Sequence, residues 1–112
     1  MIYPRLTRHL TLEAEESTPD QSGGFTSSWQ QIGTLWAEIK PKTGREARGP
    51  NTPVSKVGYV IHVRGAPDGA PSRPQPGQRF SGHGRIYVIE AVTEYDPDGR
   101  FLTCHTTQET VV

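Results

Sequence analysis

The four histidines and the single cysteine are the side chains that could bind a metal ion or serve as a base and a nucleophile. His9, His62, His83 and His105 lie in four separate segments, and none has a second ligand at metal-binding spacing in its own segment. Cys104 directly precedes His105, but neighbours on a strand point to opposite faces, so the two cannot form a nucleophile–base contact. We therefore expect no metal site, no cofactor and no catalytic cysteine.

Two other motifs have the composition of catalytic or phosphate-binding sites. Glu90, Glu94, Asp96 and Asp98 lie close together in the sequence, but carboxylates in a turn are normally solvated or hydrogen-bonded to the turn backbone. The Gly-His-Gly run at 82–84 precedes a strand pattern instead of a helix and lacks the lysine of a phosphate loop. Neither motif indicates catalysis, and we expect a protein that is not an enzyme.

A basic loop is the first candidate for function. The sixteen residues from Pro41 to Lys56 are rich in glycine and proline and contain almost no large apolar side chain, and long loops of this kind in small domains are often functional. Lys42, Arg45, Arg48 and Lys56 could contact a phosphate backbone. A charged loop that is only solvated is the alternative that the residues themselves leave open.

The composition limits the classes of protein that the chain can belong to. A length of 112 residues predicts a single domain, 1–112, and 12 basic residues balance 12 acidic ones, so no overall field attracts nucleic acid or anionic lipid. One cysteine excludes an intrachain disulfide and favours folding in a reducing cytoplasm. No stretch approaches the roughly 20 apolar residues of a membrane span, so we expect a soluble protein without a membrane partner.

The first third of the chain predicts two strands. Apolar and polar residues alternate from Leu6 to Ala14, which is typical of a strand with one buried face. Glu15 to Ser28 is polar and indicates a connection, in which Gly23-Gly24 supplies positive φ. Ser28 to Lys40 predicts a second strand, and a short helix around Phe25 to Ile32 remains an alternative.

The second strand has two distinct faces. Its alternation places Leu35, Ala37 and Ile39 inward, whereas Trp36, Glu38 and Lys40 point outward, and Trp29 is expected to cover one end of the core.

Three further strands and a short bridge are predicted after the basic loop. They are Val57 to Arg64, a bridge at Arg79-Phe80, Arg85 to Glu94, and Arg100 to Glu109 after the turn Asp96-Pro97-Asp98-Gly99. In the strand after Arg85, Ile86, Val88 and Val92 are expected on one face and Tyr87, Ile89 and Ala91 on the other. Gly65 to Gln78 is a second long, proline-rich loop. We predict an all-β, mainly antiparallel fold: a small barrel or closed sandwich of five to six strands with long loops and at most a short helix.

The order and spacing of several motifs resemble a known family. The motifs are Asp20 with Gly23-Gly24, Trp29, the run Trp36-Ala37-Glu38-Ile39-Lys40-Pro41, and Gly84-Arg85-Ile86-Tyr87-Val88-Ile89. Together they resemble the head-tail joining proteins of tailed bacteriophages, which are small head-completion or stopper subunits, including the versions found in gene transfer agents. The resemblance extends from about Leu6 to Glu109.

The resemblance implies a structural role and a set of partners. It implies a homo-oligomeric ring, expected to be a hexamer, that lies below the portal or adaptor ring and closes the DNA channel after packaging. The other side of the ring would dock the tail terminator or tail tube, and the protein would fold in the bacterial cytoplasm before it joins the particle neck. The Pro41–Lys56 loop would project into the channel, where Lys42, Arg45, Arg48 and Lys56 would face DNA without reading its sequence.

The candidate interface residues are Trp36, Glu38, Lys40 and Arg85. Outward aromatic side chains, open strand edges and long loops are features that a ring subunit buries against its neighbours. The alternative function is a small β-barrel module that binds single-stranded nucleic acid, which would need basic and aromatic side chains on one face of the sheet.

Overall fold

The structure is a computed structural model that describes residues 3–42 and 56–109. Its strands are β1 (Arg8–Pro19), β2 (Phe25–Pro41), β3 (Lys56–Arg64), β4 (Arg79–Gly82), β5 (Arg85–Glu94) and β6 (Phe101–Glu109). All strand pairs are antiparallel, and the described residues include no helix. The predicted all-β class is confirmed. Residues 25–32, for which a short helix was the alternative, belong to β2.

The sheet closes on itself in the order β1-β2-β3-β6-β5-β4. The four-residue strand β4 makes the closure, because Arg79–Ser81 pair with Thr11–Glu13 of β1 and β4 also pairs with β5. The predicted bridge at Arg79-Phe80 is thus a short strand. Closure removes free strand edges from the body of the fold.

Alternating side chains of all six strands fill the interior. The buried core contains Leu10, Leu12, Ala37, Ile61, Val63, Phe80, Tyr87, Ile89, Leu102 and Cys104. Leu35 and Ile39 pack against this core, whereas Trp36 is 55% exposed, so the predicted faces of β2 are confirmed. Burial of the Cys104 thiol raises its pKa to about 12, which leaves the thiol protonated and unreactive near neutral pH.

A β-bulge in β5 corrects one prediction. Ile89 pairs with Thr106, but Ala91 pairs with the next residue of β6, His105, so Glu90 is an extra residue in the strand. The extra residue reverses the alternation, and Val92 packs against the core on the side of Ile89. The expectation that Val92 shares a face with Ile86 and Val88 was wrong.

The proline-rich segment 65–78 is packed onto the barrel. Pro74 is fully buried, and backbone hydrogen bonds of 2.9–3.0 Å join Gly77 and Gln78 to Ile89. The Arg73 guanidinium donates to the carbonyl oxygen of Ala66 at 2.8 Å, which ties the segment to itself. These contacts hold the loop against the sheet at Pro74, Gly77 and Gln78.

The β5–β6 turn is organised by a buried carboxylate. Asp96 Oδ1 accepts the backbone N–H of Phe101 at 3.1 Å, and Arg100 Nε lies 3.3 Å from Asp96 Oδ2. Burial alone would raise the pKa of Asp96, but these donors outweigh it and the pKa lies below its usual value. The Gly99 N–H donates to the Asp96 carbonyl at 3.0 Å, which confirms the predicted turn.

The β1–β2 hairpin extends beyond the closed sheet as an arm, which we define as residues 14–30. β1 pairs with β4 only through Thr11–Glu13, and β2 pairs with β3 only from Ala37 onward. In the arm the two strands pair only with each other, from Ala14↔Gln30 to Pro19↔Phe25. The prediction that all of residues 15–28 form a connection was wrong, because only residues 20–24 connect the two strands. The paired residues on either side are mostly polar and show no apolar alternation that would reveal a strand.

Candidate assembly surfaces

The outer face of β2 carries a large exposed aromatic side chain. Trp36 is 55% exposed, and its ring lies 4.9 Å from the imidazole of His9, its partner on β1. A tryptophan exposed to this degree costs free energy in water and is a frequent anchor of protein interfaces.

A groove of about 450 Å³ lies beside Trp36. Its lining is mainly apolar and includes one cation, the guanidinium of Arg64. The lining residues are Leu6, Leu35, Trp36, Arg64, Gly65, Ala66 and Ser72. The groove joins the outer face of β2 to the start of the 65–78 segment. An apolar groove with an aromatic wall is suited to accepting a side chain from another protein.

Glu38 and Lys40, the other predicted interface residues on this face, differ in how far their side chains are exposed. Glu38 is largely buried, and its Oε2 accepts the backbone N–H of Arg5 at 2.9 Å. Lys40 is 62% exposed, and its Nζ lies 3.7 Å from Glu38 Oε1. Glu38 therefore fixes the N-terminal segment against β2, while Lys40 presents its charge to solvent.

Arg85, the fourth predicted interface residue, belongs to a different surface. It lines a pocket of about 460 Å³ with Trp29, Arg79, Gly84, Ile86, Val88, Gln108 and Glu109. This pocket shares no lining residue with the Trp36 groove, so the structure does not bring Arg85 together with the Trp36 face.

The base of the arm is fixed by a contact between three residues. The Arg79 guanidinium lies 4.1 Å from the centre of the Trp29 ring, and its Nε is 2.6 Å from Glu13 Oε1. A cation held between an aromatic face and a carboxylate resists reorientation. Trp29 was expected to cover one end of the core and instead packs on Arg79, outside the core cluster.

The tip of the arm is a tight turn organised by Asp20. Its Oδ1 accepts the backbone N–H groups of Ser22 and Gly24, each at 2.9 Å, and these bonds lower the pKa of Asp20. Of the two glycines predicted to supply positive φ, Gly23 does so at 85°. Phe25 follows the turn and is 71% exposed.

The ends of the predicted channel loop lie next to each other at one end of the barrel. The Lys42 N–H donates to the carbonyl of Gly58 at 2.9 Å, and the Lys42 stem packs over Gly58, which has no side chain to displace it. Lys56 pairs with Glu109 at the start of β3. Arg45 and Arg48 lie outside the described residues, so their predicted position in a channel stays a prediction.

An aromatic cluster on the outside of the barrel was missed by the sequence reasoning. The ring of Tyr95 lies 4.8 Å from His62 and 6.1 Å from Phe101, and Tyr3 packs on Phe101 at 5.6 Å. Burial lowers the pKa of His62, which also hydrogen-bonds Thr103. The adjacent apolar pair at positions 101–102 was the available signal, because consecutive strand residues face opposite sides and both are buried here.

Other kinds of site are not found in the described part of the chain. Within residues 3–42 and 56–109, no three His, Cys, Asp or Glu side chains converge as a metal site would require. The same residues contain no helix with the length and hydrophobicity to cross a membrane.

Comparison with known proteins identifies the family. Residues 1–109 match the family described as phage head completion protein. The chain belongs to this family. The resemblance seen in the sequence is thus confirmed, and the role of the family is a structural one in completing the head of a phage particle. A search of curated proteins found no match to this chain.

Two solved structures are similar over nearly the whole chain. A chain of the virion of a native gene transfer agent particle has a TM-score of 0.83 and 41% sequence identity, over 98% of this chain and 100% of that chain. Protein SF1141 from Shigella flexneri 2a, solved in solution, has a TM-score of 0.68 and 20% identity, with 95% of each chain covered. The second likeness shows a shared fold only.

Proposed function

We propose that this head completion protein is a stopper subunit of the neck of a phage or gene transfer agent particle. In this proposal the subunits form a ring below the portal or adaptor ring, close the DNA channel after packaging and dock the tail. The observation that carries the proposal is the 41% identity, over the full length, to a chain of a gene transfer agent virion. Electron cryomicroscopy of the particle neck tests it: a ring of this chain between portal and tail is expected, and absence of the chain from purified particles would refute it.

The exposed surface supports assembly on physical grounds. Phe25 and Trp36 are 71% and 55% exposed, at two separate places on the molecule. Two different patches are what a head-to-tail ring requires, because each subunit must offer one surface to the next and another to the previous one. The zero net charge also gives little repulsion between subunits.

The alternative of a module for single-stranded nucleic acid has no specific observation in its favour. The aromatic ring closest to a basic group in the Arg85 pocket is Trp29, and its face is already covered by Arg79. Arg79 is in turn paired with Glu13. A base that stacked on this face would have to displace Arg79.

The Trp36 groove is the expected contact with a neighbouring subunit or connector protein. We expect Trp36→Ser to leave the melting temperature nearly unchanged, because the side chain is exposed, and to reduce ring assembly strongly. Thermal unfolding and mass photometry of the purified protein measure the two effects. Thr93→Ser, at an exposed position on β5, is the control and should assemble as the parent does. Normal assembly of the Trp36 variant would exclude this groove from the interface.

The loop between β2 and β3 is the proposed gate of the channel. Because the Lys42 N–H bonds to the carbonyl of Gly58, a short turn can replace residues 43–55 without stretching the barrel. We expect this deletion to give folded protein and assembled particles that lose packaged DNA, measured as DNA protected from nuclease.

A full-length control separates the bulk of the loop from its charge. Arg45→Gln with Arg48→Gln keeps the length, so retention of DNA in this variant and its loss in the deletion would indicate that the loop closes the channel sterically. Particles of the deletion variant that hold their DNA normally would disprove the gate assignment while leaving the neck position intact.

A further inference from the structure

The arm carries two strand edges that nothing in the described part of the chain covers. Residues 14–19 of β1 and 25–30 of β2 pair with each other, and no other described strand pairs with them. Each outer edge presents a row of N–H and C=O groups that can pair with another strand. A two-stranded hairpin alone in water is also only marginally stable, so the arm needs further partners for stability.

The two edges differ in the features that normally prevent pairing. The β1 edge carries Glu15, Glu16 and Pro19, and charges and prolines are the usual protection of an edge strand. The β2 edge, residues 25–30, has no charged residue, no proline and no glycine. An unprotected edge of this length indicates a strand that is covered when the protein is assembled.

We infer that the arms of neighbouring copies of this chain pair edge to edge, with β2 of one copy against β1 of the next. Repeated around a subunit ring, this contact builds a second antiparallel barrel from the arms alone, coaxial with the ring. The inference rests on the proposed function for the existence of the ring, and it adds the surface that joins the subunits.

Charge selects this arrangement over its alternatives. Pairing β1 with β1 would place the carboxylates of Glu15 and Glu16 against their own copies, which is unfavourable for like charges on adjacent strands. Pairing β2 with β2 would avoid charge but would leave both β1 edges open and stop at a dimer. Pairing β2 with β1 sets a neutral edge against an acidic one and satisfies every edge when the ring closes.

One face of the arm fits the wall of a water-filled tube. Glu16, Thr18, Thr26 and Ser28 lie on this face, and the side chains of Thr18 and Thr26 hydrogen-bond across the hairpin at 3.2 Å. The other face carries Phe25 and Trp29. A barrel of arms with the polar face inward would enclose water. The contact of Arg79 with Trp29 and Glu13 holds the base of the arm, so its direction relative to the body is set before assembly.

Cross-linking of two single-cysteine variants tests the inference. Ser17 on β1 and Ser27 on β2 lie opposite each other in the arm and are exposed, and Ser→Cys is a small change. Native Cys104 is buried, and the raised pKa of its thiol makes it a poor target. Rings assembled from equal amounts of Ser17→Cys and Ser27→Cys subunits are oxidised to form disulfides. A disulfide needs Cα atoms within about 7 Å, so it joins neighbouring strands but not the same residue of adjacent copies, which would lie two strand spacings, about 9.6 Å, apart.

The expected result is a cross-linked dimer in the mixture and none in either variant alone. Random mixing places the two variants in the required order at about a quarter of the interfaces, which sets the maximum yield. A cross-linked dimer from Ser17→Cys alone or from Ser27→Cys alone would indicate a two-fold contact and overturn the inference. Rings of the mixture that form but give no cross-linked dimer would also overturn it. Mass photometry separates these outcomes from failure of the proposed function, because in that case no ring would be present before cross-linking.

Discussion

Replacing Gly65 with alanine is expected to destabilise the fold by about 3 kcal/mol or more, which is the upper range for side chains forced into packed sites. Gly65 follows β3, and its N–H donates to the carbonyl of Arg100 at 2.7 Å. A Cβ at this position would overlap the carbonyl oxygen of Gly99 and lie 3.1 Å from the carbonyl oxygen of Arg100. Both neighbours are backbone atoms, so the clash can be relieved only by moving the β5–β6 turn or the start of the 65–78 segment.

Gly33→Ala is the matched control. Gly33 lies in β2, and a Cβ there would meet no atom within 4 Å. Glycine in a strand loses more backbone freedom on folding than alanine, so this variant is expected to be unchanged or up to about 1 kcal/mol more stable. Urea unfolding followed by tryptophan fluorescence measures both variants. Equal midpoints for the two would show that the close approach at Gly65 is easily relaxed.

The strands of the closed body were predictable because each has one buried face. Alternation located β1 through Leu10 and Leu12, and it gave the inward and outward sides of β2 correctly around Ala37. The β5–β6 turn was equally clear, since its aspartates and glycine have the preferences of a type I turn. In these elements the same side chains that form the core also produce the pattern.

The arm was not predictable from the same signal. Its residues are polar except for Phe25 and Trp29, so no run of alternating apolar side chains appears between Glu15 and Gln30. The strands exist because backbone groups pair across the hairpin and because Asp20 closes its turn. Backbone pairing leaves little trace in the side-chain sequence.

The alternation of apolar and polar residues also could not predict the bulge at Glu90 or the position of Trp29. The bulge shifts the register of β5 against β6, and its position depends on residues that are far away in the sequence. Trp29 was expected to cover one end of the core, but Arg79 on β4 provides a planar cation for it to pack against. Both features are decided by tertiary partners.

The candidate interface residues were likewise predictable from the sequence only in part. The alternation of apolar and polar residues correctly predicted that Trp36 and Lys40 are exposed. It could not show that Glu38 accepts a hydrogen bond from the Arg5 backbone. Nor could it show that Arg85 lies on another surface, because the order of strands in the sheet is a property of the fold.

Phe80→Ala is expected to cost about 3–5 kcal/mol, the range for large-to-small changes at fully buried phenylalanines. Phe80 is 0% exposed and lies on β4, the short strand that closes the sheet between β1 and β5. Since domains of this size are typically stable by only about 5–15 kcal/mol, this loss should lower the melting temperature by roughly 10–20 °C. Differential scanning calorimetry of the purified protein gives the measurement.

Phe25→Ala makes the same chemical change at the tip of the arm and separates folding from assembly. Phe25 is 71% exposed, so its removal should change the free energy of unfolding by no more than about 0.5 kcal/mol. If the arms pair between subunits, the tip is part of the ring contact, and this variant should assemble less well while melting normally. Weakened assembly in Phe80→Ala is expected as well, but only together with its lower melting temperature. A Phe25 variant that melts early would show that the arm is stabilised by the barrel of its own chain, and the case for partners on its edges would lose its physical basis.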